Sequence, residues 1–133
     1  MALDLGAGAR LEVLTSNTSG LVLTIAHGWA SFLLPLGADP ELVNTLMRSG
    51  ELAEAQVLVL ADGGYLAVNP PELFERVRPR VVVIPVEVAN TRGLPSPEVL
   101  EALEVITTLR TDLNGWIAFR TDGERLWVEV EQP

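Results

Sequence analysis

Val81-Val82-Val83-Ile84, entered through Arg78-Pro79-Arg80, is a run of four β-branched side chains with no polar alternation. A strand of this composition has both faces covered, as in parallel sheets flanked by helices, so it is expected at the centre of a sheet. Its neighbours in sequence say what surrounds it. Val57 to Leu60 is a second continuous apolar strand, and Asn69-Pro70-Pro71-Glu72 opens a helix between the two. Asn69 is read as the N-cap and Glu72 as the partner in a capping box, with Leu73, Phe74 and Val77 facing inward. Downstream, Ser96-Pro97-Glu98 caps another helix through Val99, Leu100 and Leu103, and Val105 to Leu109 forms the next strand.

Further out, Asp39-Pro40-Glu41 starts a helix whose apolar stripe, Leu42, Val43, Leu46 and Met47, ends at Gly50. Before it, Leu11 to Thr15, Leu21 to Ala26 and Ala30 to Leu34 read as a small β-meander that turns at His27-Gly28, and the apolar residues at the start form a strand edge. At the other end, Trp116 to Arg120 and Arg125 to Val130 flank Thr121-Asp122-Gly123-Glu124, whose Asp-Gly centre predicts a type I′ hairpin. Trp116 and Trp127, one on each arm, are expected to pack across it. The fold class is α/β (α+β): one domain over residues 1–133, with a mixed sheet, three short helices and a C-terminal β-hairpin.

Composition removes several chemistries. At 133 residues the chain can bury one core, and 48% hydrophobic residues place it among globular, soluble proteins. No apolar run approaches the ~18 residues of a membrane span. Nine arginines and no lysine stand against eighteen acidic residues, and the net charge of −9 opposes nucleic-acid binding. The chain has no cysteine and a single histidine, which leaves no thiolate site and little imidazole chemistry. Met1 to Gly6 has no basic residue ahead of an apolar run, so no secretory signal is read there. The expected location is the cytoplasm, or a soluble domain of a larger membrane protein.

The candidate pocket is Asp62, Gly64, Tyr65 and Asn90, because Asp62-Gly63-Gly64-Tyr65 ends an apolar strand, the rim where α/β folds place chemistry. Asp62 can bind a hard cation through oxygen, whereas the glycines suit a turn. Other features have plainer explanations. His27 has no partner histidine or cysteine and reads as a turn residue, Gly6-Ala7-Gly8 follows no strand suited to a phosphate loop, and Ser96 reads as a cap. Arg76, Arg78 and Arg80 form the basic cluster, with Glu72 and Glu75 as nearby countercharges.

Two stretches carry a resemblance. Ala55-Gln56-Val57-Leu58 through Arg76-Val77-Arg78-Pro79-Arg80-Val81-Val82-Val83-Ile84, and Asn90-Thr91-Arg92-Gly93-Leu94-Pro95-Ser96-Pro97-Glu98-Val99-Leu100, resemble the metallo-β-lactamase-fold hydrolase domain of the ComEC type, attached to bacterial DNA-uptake channels. The resemblance extends to Ser31 through Gly37 and to the closing segment from Arg110 to Val130. It implies the second half of an αββα sandwich. It also places the family's metal ligands at positions that here hold Gly37, Asp62, Gly63 and Leu94. Glycine and leucine offer no lone pair to a metal, so the resemblance implies a scaffold with no catalytic residue, no metal ligand and no cofactor. The expected function is a structural, binding or assembly role linked to DNA uptake. The expected partner is a second copy (a homodimer) or the missing N-terminal half of a parent protein. The alternative is a metal-dependent phosphodiester hydrolase using Zn or Mn, whose ligands come from a partner chain or that missing half.

Overall fold

The computed structural model describes residues Met1–Pro133. Seven strands form one sheet: β1 (Ala2–Gly6), β2 (Ala9–Ser16), β3 (Leu21–His27), β4 (Ala30–Leu36), β5 (Val57–Val59), β6 (Val81–Ile84) and β7 (Thr107–Arg110). They lie side by side in chain order, antiparallel from β1 to β4 and parallel from β4 to β7. Helices α1 (Pro40–Ser49), α2 (Pro71–Val77) and α3 (Pro97–Ala102) make the three parallel crossovers. Because the order never reverses and such crossovers are right-handed, all three helices fall on one face of the sheet. The class is mixed α/β, with four short helices once α4 (Thr111–Asn114) is included.

The helical face holds the core. Leu33, Leu58, Val82 and Ile84 from the sheet join Leu42 and Leu46 of α1, Leu73 and Val77 of α2, and Val99 of α3 in one apolar cluster. None of the three crossover helices covers the opposite face. Leu3, Leu11, Ile25, Phe32, Val57 and Val81 stand next to one another across six strands on that side. Val57, fifth in this row, is fully buried, Leu11, Ile25 and Phe32 are half-buried, and Leu3 at the edge is 48% exposed. Part of the cover comes from a separate hairpin, β8 (Ile117–Thr121) and β9 (Leu126–Val130). Its Phe119 ring meets Phe32 edge-on at 5.7 Å, and its turn accepts the Trp29 N–H at the Gly123 carbonyl (2.8 Å).

Several local expectations are corrected. The valine-rich strand, β6, is sixth of seven and not central, and its burial comes from α2 and α3 on the core side. Asn69 does not cap α2: Pro70 holds the N-cap position with no side-chain cap, and Asn69 is fully buried. Ser96 does precede α3, but its hydroxyl accepts the Leu66 N–H (2.9 Å) and not an N–H of its own helix. The Asp39 cap forms as read, with Oδ1 accepting the Leu42 N–H at 2.8 Å. The final hairpin pairs Thr121 with Leu126, leaving four residues in the turn where two were expected. The Asp122 carboxylate explains the longer turn, since it accepts the N–H groups of both Glu124 (2.9 Å) and Arg125 (2.8 Å). Trp127 lies opposite Arg120, whose guanidinium sits 5.1 Å from its ring centre, and Trp116 lies outside the strands, so the two tryptophans are not cross-strand partners. The strand expected from Val105 starts only at Thr107. No helix is long and apolar enough to cross a membrane.

Candidate functional site

The carboxyl ends of β5 and β6 open into a cleft of about 230 Å³. One wall is the 3-10 turn Asp62–Gly64 after β5, and the other is the loop from Pro85 to Leu94 after β6. Asn90 builds that loop. Its Nδ2 donates to the Leu94 carbonyl (2.7 Å), and its Oδ1 accepts the N–H groups of Leu94 (2.9 Å) and Arg92 (3.2 Å). Thr111 anchors the start of the loop: its hydroxyl accepts the Val86 N–H (2.8 Å) and donates to the Val86 carbonyl (2.9 Å).

The two walls are locked together across thirty residues. Arg92 Nη1 and Nη2 donate to Asp62 Oδ1 (2.7 Å) and Oδ2 (3.1 Å), and the same guanidinium lies 5.8 Å from the Tyr65 ring centre. Hydrogen bonding from Arg92 holds the Asp62 carboxyl below the ordinary carboxylate range, and partial burial opposes this more weakly. Beneath the ion pair the contact is hydrocarbon. A Cβ on Gly63 would lie 3.1 Å from Leu94 Cδ1, and one on Gly64 would lie 2.9 Å from Pro95 Cβ. Gly64 has φ +83°, so glycine meets both a backbone need and a steric one here.

Behind the turn, Asn69 Nδ2 donates to the carbonyls of Ala61 (2.9 Å) and Tyr65 (2.8 Å), so a buried amide fixes the segment that presents Asp62. Its Oδ1 accepts no hydrogen bond from the protein.

The sequence-derived pocket therefore assembles in part. Asp62 and Asn90 line the cleft, Gly64 is buried directly behind it, and Tyr65 stands beside it under Arg92. Of the positions the resemblance assigns to metal ligands, Asp62, Gly63 and Leu94 meet here. Gly37 does not: it follows β4 and packs on Ser19. Arg92 and Glu87, which line the cleft, and Asn69, which fixes the turn behind it, are site residues that the sequence pattern does not single out. Asn90 standing two residues before Arg92 was the available signal, since such a side chain commonly folds back onto its own loop. The basic cluster disperses, with Arg76 donating to the Met47 carbonyl, Arg78 pairing with Glu54 at 3.3 Å, and Arg80 lying over Trp29. His27 ends β3 between the turn glycines Gly8 and Gly123.

The donor set does not fit a metal of the implied kind. No three His, Asp or Glu side chains converge, and both oxygens of Asp62 are already engaged by a guanidinium. The Leu94 and Val86 side chains occupy the space beside Gly63 with hydrocarbon.

No protein-family model matches the chain, and no curated protein or solved structure does so either.

Proposed function

We propose that the chain is a non-catalytic, metallo-β-lactamase-like module with an assembly role, in which the open sheet face receives a second sheet from another copy of the chain. The observation that carries the non-catalytic reading is the cleft itself. Three of the ligand positions implied by the resemblance come together there, and they supply a neutralised carboxylate, a glycine and a leucine. Water activation needs an open coordination position held by lone-pair donors, and none of these groups provides one.

The assembly role rests on the one-sided helical layer. The apolar row ends in β1, whose five residues are all exposed. Leu3 and Leu5 stay half exposed there, and Val128 of the hairpin is 45% exposed. A second copy would cover this surface by face-to-face sheet packing about a two-fold axis.

Two measurements test the proposal. Titration with Zn²⁺ or Mn²⁺, followed by assay on a phosphodiester, is expected to show neither stoichiometric binding nor turnover; both together would overturn the non-catalytic reading. Light scattering coupled to size exclusion is expected to give twice the 14.4 kDa chain mass. A clean monomer at high micromolar concentration would overturn self-pairing.

A further inference from the structure

On the helical layer, a groove of about 390 Å³ runs between α2 and the turn that follows α3. Its surface is apolar: Pro71 and Phe74 on one side, Ala102, Val105 and Ile106 on the other. Val105 is 94% exposed, more than any other large apolar side chain in the protein. Glu75 lines the groove, and Glu72, Glu101 and Glu104 stand next to its lining residues, all exposed. No arginine lines it, and none of these four carboxylates is in an ion pair.

The position of the acids is unfavourable for the isolated chain. Glu101 sits in the last turn of α3 and Glu104 just beyond it, where the helix dipole favours cations, and no basic residue offsets them. An apolar strip left bare and a rim of one charge sign are both relieved by the same occupant. We propose that this groove docks a cationic amphipathic helical segment of a partner protein, with its apolar anchors against Pro71, Val105 and Ile106 over the buried Phe74 and its lysines or arginines facing the glutamates. At seven residues α2 is ~10 Å long, enough for two helical turns of such a segment. The groove is on the opposite side of the sheet from the open face, so this inference stands or falls independently of self-assembly.

The probe is a leucine–lysine peptide with leucines at i, i+3, i+4 and i+7, titrated into the full chain and followed by amide chemical shifts. The expected result is saturable shifts confined to α2 and residues 101–106, with affinity about tenfold weaker in Val105→Ser and in the Glu101→Gln/Glu104→Gln double variant. All three positions are solvent-exposed, so folding is retained, and each variant's amide spectrum checks this directly. Glu12→Gln/Glu129→Gln, away from the groove, should bind like the wild-type chain. No binding, unsaturable shifts spread over the acidic surface, unchanged affinity in the groove variants, or equal binding by a peptide with glutamate in place of lysine would each overturn the proposal.

Discussion

Asn69→Ala should destabilise the protein by roughly 1–3 kcal/mol, for reasons that can be summed from its contacts. The amide is fully buried and donates two hydrogen bonds, to the Ala61 and Tyr65 carbonyls. Each carbonyl keeps a second partner, from the N–H groups of Gly64 and Val68 respectively, so the loss is two net bonds at about 1 kcal/mol each and not two fully orphaned acceptors. The small void left behind adds to the cost, while deletion of the unpaired Oδ1 gives part of it back. At ~2.1 cal/mol/K per residue this range corresponds to a fall in Tm of about 4–10 °C. Thermal unfolding by circular dichroism measures it, and a Tm within about 2 °C of wild type would refute the reasoning. Asn69→Asp extends the test. A carboxylate facing two carbonyl oxygens in a buried site has its folded-state pKa raised, so the charge penalty is full at neutral pH and relieved as pH falls toward the unfolded value near 4. The Asp variant should therefore gain stability relative to the Ala variant on acidification from pH 7.

Gly28→Ala should detach the C-terminal hairpin, because a Cβ there would lie 2.3 Å from the Gly123 carbonyl oxygen at a φ of +57°. Faster hydrogen exchange at the Trp29 amide and along β8 and β9, with β4 to β6 unchanged, is the expected readout. Asp39→Asn tests the acid side of the stability profile. The Leu42 N–H, then the Ser19 hydroxyl, hold the Asp39 carboxyl below its ordinary value of 3.8. Its contribution is complete above the unfolded value and is lost as pH falls through the lower folded one. The Asn variant, which keeps an N-cap acceptor, should be less stable at pH 7 and converge on wild type in urea titrations near pH 2. Arg92→Ala should change stability little, since the ion-pair side chains are 57% and 38% exposed. The effect should shrink further in high salt, and a large drop in the urea midpoint would contradict the exposed geometry.

What was legible in the sequence and what was not divide along chain distance. The Asp39-Pro40 start, the stop at Gly50 and the apolar runs of β5 and β6 are signals in which cause and effect lie within a turn or a strand, and each forms where expected, β5 one residue shorter than its apolar run. Asn69-Pro70 shows the limit. The same letters suit an N-cap or a buried amide, and the choice was made by carbonyls four and eight residues upstream in a chain that doubles back through two 3-10 turns. Asp62 with Arg92 is a thirty-residue pairing that no local pattern encodes. The C-terminal hairpin forms, but its turn differs for another reason: an Asp-Gly pair favours a two-residue turn, whereas an aspartate that accepts two following N–H groups stabilises a longer one.

The topology explains why the cleft is small and why one sheet face carries no crossover helix. In open α/β sheets a deep crevice forms at the strand ends where adjacent crossovers leave on opposite faces. Here the order from β4 to β7 is monotonic, so every crossover leaves on the same face and no such crevice is generated. The loops after β5 and β6 instead close on each other, Gly63 against Leu94 and Gly64 against Pro95, and what remains is a shallow cleft of about 230 Å³ sealed by an ion pair. The same monotonic order puts all the helical cover on one side and leaves the other sheet face with only a two-stranded hairpin over it. A small cleft and an open face thus follow from one feature of strand order, and restoring donors at Gly63 or Leu94 would have to displace the packing of Leu94 on Gly63.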